Sequence, residues 1–175
     1  MINRKTTQRI NKDPVILDGF SRTLPQIEWL LLVLILFDLV VVNIDATSRT
    51  TLLIASGIYS GFILLFQYVN FFKYPKEWKI TLHTWGMILY ISYVIFKNGD
   101  IESPLCNLYL LPIIASAITL SRVITLLETG LIAASILYIH ATVSSDNFWT
   151  LATSSEFLMR FFPFLLVAYI ITMLS

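Results

Sequence analysis

The sequence predicts an all-α, polytopic membrane protein of about six transmembrane helices with both ends in the cytoplasm, and three observations lead there. Hydrophobic residues fill 57% and charged residues 13% of 175 positions, against roughly 45–50% and 25% in soluble domains. The mean hydropathy is +0.76. Six apolar runs of about 17–22 residues, each long enough to cross a hydrocarbon core, are joined by short polar connections. Lys and Arg are shared unevenly between the two sides of that zigzag: Arg4, Lys5, Arg9, Lys12, Arg22, Lys73, Lys76, Lys79 and Arg122 against Arg49, Lys97 and Arg160. The excess marks the cytoplasmic side.

Residues 1–25 read as a cytoplasmic or interfacial N-terminal segment, with an apolar patch from Val15 to Phe20 that suits a short surface helix before Pro25. Residues 26–175 read as the six-helix transmembrane domain. Helix 1 is expected from about Ile27 to Val42, its Leu/Val/Ile run broken by Asp38. The polar run Asn43 to Thr50 follows it. Helix 2, from about Leu52 to Phe72, sets Gly57 and Gly61 four apart with Ser56 and Ser60 beside them, a small-residue face suited to close helix contact. A charged turn around Lys73 to Lys79 leads into helix 3, which carries Trp78 and Trp85 and runs to about Phe96. Pro104 opens helix 4, which ends near Leu120 and is expected to kink at Pro112. Ser121 and Arg122 leave room only for a tight turn, so helix 5, about Val123 to Val143, must lie antiparallel to helix 4. Helix 6 is expected from about Phe157 to Leu174, with Arg160 and Pro163 in its first turns.

Several function classes are excluded or weakened by composition. The basic residues form no aromatic-interleaved patch, which argues against a nucleic-acid partner. No apolar run precedes residue 27, so the first helix reads as an anchor and not as a removable signal peptide. The single cysteine, Cys106, has no internal partner for a disulfide and reads as a packing residue. Metalloprotease, serine-hydrolase and nucleotide-binding motifs are absent, so this stretch is expected to be non-catalytic.

Ionisable residues at membrane depth are costly, on the order of 2.5–3.5 kcal/mol each at mid-bilayer. Asp38, His83, Glu128, His140 and Arg160 are therefore the candidates for chemistry. Asp38 and Arg160 fall toward the outer ends of their helices and either pair or reach for water. Glu128 has a packing or a proton-linked role. The only two histidines, His83 and His140, lie inside predicted helices and raise the possibility of a b-type haem with both as iron ligands and Arg160 beside its propionates. At 1.5 Å per residue they differ in depth by roughly 15–20 Å, too far for one shared iron. In a parallel homodimer each could meet its own mate; the alternative is that both are helix-packing histidines.

The stretch Phe96 to Arg122, FKNGDIESPLCNLYLLPIIASAITLSR, carries Gly99, Asp100, Ser103, Pro104 and Leu105, then Leu108, Leu111, Pro112 and Ser116. It resembles a segment shared by the six-helix membrane sensor regions of bacterial signal transducers: type IV pilus-type and redox-responsive sensor histidine kinases, and membrane-bound diguanylate cyclases. Here Asp100 replaces the second glycine of that pattern, Ser103 its Asn and Leu105 its Phe. The resemblance implies a multi-pass sensor domain of the bacterial inner membrane, dimeric, with Gly99 to Leu105 as the sensing loop and a quinone or other hydrophobic ligand as a possible cue. It also implies relay through the last helix to a cytoplasmic cyclase or kinase domain outside this sequence. Two other readings stay open: a haem-binding redox membrane protein, and a small transporter or membrane enzyme.

Overall fold

The computed structural model describes residues 14–41, 46–68, 76–98, 104–144 and 155–174. Those residues are all helical apart from the Leu120–Ser121 turn: α1 (Pro14–Val41), α2 (Ala46–Tyr68), α3 (Lys76–Asn98), a 3-10 turn (Pro104–Tyr109), α4 (Leu110–Thr119), α5 (Arg122–Ser144) and α6 (Ser155–Leu174). Three stretches are long and apolar enough to cross a membrane, Thr23–Val41, Ala46–Tyr68 and Arg122–Thr142. Pro104–Thr119 and Phe157–Ile171 are apolar but shorter.

The bundle is built around α3 and α4. α3 packs against α1, α2, α4, α5 and the 3-10 turn, while α4 packs against α1, α3, α5 and α6. Met87, Ile88, Ile91, Val94 and Ile95 of α3 are buried, spaced three and four apart over a broad face. They meet Leu31, Ile35 and Leu39 of α1, Ile63 of α2, Ile113 at the start of α4, and Ile132 and Ile136 of α5. The outer surface is as apolar as the inside: Phe37, Ile54, Ile58, Leu126, Met159 and Phe162 are all exposed. Water would not tolerate so continuous an apolar exterior.

The expected surface helix and the first membrane helix are a single element. α1 runs through Pro25 without ending, although proline removes one backbone bond and crowds the carbonyl of Ser21. Leu24, buried against Ile80, Ala115 and Leu120, holds this stretch to α3 and α4. α2 starts at Ala46, six residues ahead of expectation. The polar run joins the helix because Thr50 and Thr51 donate to the carbonyls of Ala46 and Thr47, at 2.9 and 2.6 Å. Arg49 meanwhile donates to Leu39 O at 3.2 Å, near the end of α1 where carbonyls lack helical partners.

Helix 4 is divided by helix type, where a kink was expected. A 3-10 turn from Pro104 gives way to α-helix at Leu110, two residues before Pro112. In an unbroken α-helix Pro112 would have to donate to Leu108; with the α-helix starting at Leu110, its missing N–H falls in the first turn, where no partner is needed. Leu120 then leaves the helix in an extended conformation. Ser121 Oγ accepts from the Ile124 N–H at 3.5 Å at the start of α5, giving the tight turn that the sequence requires.

Gly57 and Gly61 face outward, with nothing within 4 Å of where a Cβ would stand. Close packing instead falls at Gly86, where a Cβ would sit 2.9 Å from Cε1 of Phe62. Glycine there lets α2 lay Phe62 on α3. Gly57→Ala and Gly61→Ala, with open space at the Cβ, are expected to stabilise by up to about 1 kcal/mol through the helix preference of alanine, whereas at Gly86 the methyl must displace the Phe62 ring, so Gly86→Ala should be less stable than either, read as denaturant unfolding in detergent. Equal effects at all three positions would contradict this packing.

Candidate functional site: a polar spine along the central helix

The inward stripe of α1 is Leu24, Glu28, Leu31, Ile35 and Leu39, spaced four, three, four and four, and all are buried. Glu28 therefore points into the bundle. It meets His83 of α3, whose Nδ1 lies 2.9 Å from both carboxylate oxygens. Neither residue reaches the surface: Glu28 is 0% and His83 2% exposed. Tyr59 of α2 donates to Glu28 Oε1 at 3.4 Å. Phe62 and Phe66 stand edge-to-face with the imidazole, with centroids at 5.9 and 5.5 Å. The carboxylate holds Nδ1 as the proton-bearing nitrogen and leaves Nε2 as the other end of the ring.

His83 is the first of a series. Thr84, the next residue and about 100° around α3, has its Oγ1 2.7 Å from Glu128 Oε1 of α5. Tyr90 stacks on Tyr59 at 4.2 Å and 13°, and its hydroxyl lies 2.7 Å from Ser56 Oγ of α2. Ser56 uses its own proton on Leu52 O at 2.8 Å, so Tyr90 is the donor. Ser92 is likewise committed to Ile88 O at 2.7 Å, so Tyr109 of the 3-10 turn donates to Ser92 Oγ at 2.8 Å. Asn98 donates to Asp38 Oδ2 of α1 at 3.5 Å. α3 is thus hydrogen-bonded in turn to α1, α5, α2, the 3-10 turn and α1 again.

The residues singled out from sequence fall in separate places. His83 is in the spine. His140 is half-buried near the far end of α5, about twelve residues and therefore about 18 Å along the axis from Glu128, the level at which α5 meets Thr84. The two histidines share no site. A macrocycle has no room at His83, a 2% exposed ring enclosed by Glu28, Tyr59, Phe62 and Phe66, so the residues around it do not fit a haem. No group of three or more His, Cys, Asp or Glu able to hold a metal ion occurs among the described residues. Asp38 has Asn98 as its partner; the Arg160 side chain lies outside the described residues. Of the expected sensing loop, Gly99, Asp100 and Ser103 also lie outside them. Pro104 and Leu105 open the 3-10 turn, Pro104 exposed and Leu105 buried.

Removing one member of a buried, mutually bonded pair leaves the other without compensation, at a cost of about 3–5 kcal/mol. Glu28→Ala and His83→Ala should each lower unfolding stability in detergent on that scale, and Glu28→Ala/His83→Ala should cost clearly less than their sum. Additive losses in such a double-mutant cycle would show that the two side chains do not interact.

No protein-family model, no curated protein and no solved structure matches this chain.

Proposed function

We propose that this chain is a sensory input module of the bacterial inner membrane, with six helices crossing the bilayer, both ends cytoplasmic, acting as a homodimer. The observation that supports this reading is the place of α4. The segment that resembles bacterial sensor regions, Phe96 to Arg122, contains the 3-10 turn and α4, and α4 packs directly against both α3 and α6. α4 is also the most enclosed helix, with Ile113, Ala115, Ser116, Ala117 and Thr119 buried. A displacement entering at Pro104 and Leu105 therefore has a short mechanical route to the last helix.

The route runs through two discrete elements. Tyr109, 0% exposed, fastens the 3-10 turn to α3 through Ser92. Directly after it, at Leu110 and two residues before Pro112, the chain changes from one helix type to another, a substitution of states that costs few hydrogen bonds. Movement of the loop would turn α4 against α6, which would carry the change to a cyclase or kinase output domain. A signalling device needs two such arrangements with different affinity for the cue.

The test is a fusion of the chain, through α6, to a diguanylate cyclase reporter in cells without other cyclases. Tyr109→Phe, which removes only the hydroxyl, is expected to change basal output at least threefold, roughly the effect of one net hydrogen bond of about 0.7 kcal/mol on a two-state equilibrium. Output should also vary with helical period when residues are inserted one at a time after α6. Output indifferent to both the hydroxyl and the insertion phase would remove this reading.

A further inference from the structure

Glu128 has a feature that the relay does not use. The residue is 0% exposed, in the stripe Thr125, Glu128, Thr129, Ile132, Ile136 and Ile139 by which α5 faces the core. Its Oε2 has no hydrogen-bond partner among the described residues. Its Oε1 lies 2.7 Å from Thr84 Oγ1. Thr84 Oγ1 is also 2.9 Å from the carbonyl oxygen of Thr81, an atom that can only accept. A threonine hydroxyl has one proton. Two short contacts to oxygen can both be full hydrogen bonds only if a second proton is present, and a carboxyl O–H is its one source.

The surroundings agree with a neutral carboxyl. From α3 the group is faced by Thr84 and Trp85 and from α4 by Ser116, and no charged side chain among the described residues acts on it. Thr125 and Thr129, its neighbours on α5, spend their hydroxyls on backbone carbonyls of Ser121 and Thr125. Ser116 does the same with Ile113. Glu28 and His83, also buried, are bonded to each other and to Tyr59. An ionised carboxyl in such a place would have an unmatched oxygen and only the neutral groups of Thr84, Ser116 and Trp85 to offset its lost hydration.

We propose that Glu128 is a proton-binding site whose proton completes the hydrogen bond between α5 and α3, and that losing this proton loosens α5 from the core. Nothing here depends on the sensory reading; the site would act in any bundle of this geometry. The direction is fixed by the charge. The protonated form is the packed form, so α5 is held at lower pH and released as pH rises. Glu28 and His83 join α1 to α3 and make no contact with α5, so Glu28→Gln serves as a control.

Infrared spectroscopy of the full chain in lipid at neutral pH tests the proton, and hydrogen exchange of α5 across a pH series tests its consequence. A protonated-carboxyl C=O band should be present, vanish in Glu128→Gln, shift in Thr84→Val and persist in Glu28→Gln. Glu128→Gln, neutral at every pH, should keep α5 protected throughout, while the parent loses protection at least tenfold as pH rises. Absence of the band, its survival in Glu128→Gln, or an unchanged pH response of α5 in that variant would each overturn the proposal. Glu128→Gln keeps the shape of the side chain; should it still fail to fold, the band shift in Thr84→Val and its absence or presence in the parent remain decisive.

Discussion

The constraint on which the bundle depends is that a polar side chain removed from water must find its partner inside the protein. α3 carries His83, Thr84, Tyr90, Ser92 and Asn98 on faces that meet four neighbouring elements, and each is matched by a group on the neighbour it faces. In a bilayer that matching leaves one place for α3, the centre. The apolar helices α1, α2 and α5 each turn a polar partner inward, Glu28, Ser56 and Glu128, and present apolar outer faces to the surroundings. Burial of polarity, more than burial of apolar surface, then decides which helix goes inside, because lipid is as apolar as the core.

The spine also divides specificity from strength. A neutral bond such as Tyr90 to Ser56 adds on the order of 1 kcal/mol net. Each bond demands one partner at one height, so together they fix rotation and register of α1, α2 and α5 around α3. Apolar side chains alone allow slippage by a turn at little cost. Glu28 and His83 differ from the rest because the penalty for separating them is far larger than the net gain from joining them. The pair works as a lock on the position of α1 in the bundle.

How far the sequence reveals this can be followed along the chain. Alternating apolar runs and polar joints disclose a helical bundle, and the tight turn at Ser121 follows from its length alone. α1 is harder to read because Pro25 ordinarily ends a helix, and only the docking of Leu24 onto α3 and α4 explains its continuation. Glu28 escapes notice beside Pro25 and Trp29, at what reads as the edge of an apolar run. The four–three–four spacing Leu24, Glu28, Leu31, Ile35 was the available signal. His83 and Glu128 are conspicuous from sequence as buried ionisable residues. Their partners are not, since pairing across 55 and 44 positions depends on which helices become neighbours. Pro112 announces an irregularity, but whether it bends a helix or starts one is decided by the 3-10 turn before it.

The claim that α3 occupies the centre is tested most directly by labelling the unmodified chain in bilayers with a carbene precursor carried on the lipid tails, followed by mapping of the modified residues. Labelling should be heavy on α2 at Ile54 and Ile58 and on α6 at Met159 and Phe162, and on α3 should be confined to its exposed positions such as Leu89. Labelling of Met87, Ile91 and Val94 as heavy as that of α2 would place α3 against lipid and contradict the polar spine.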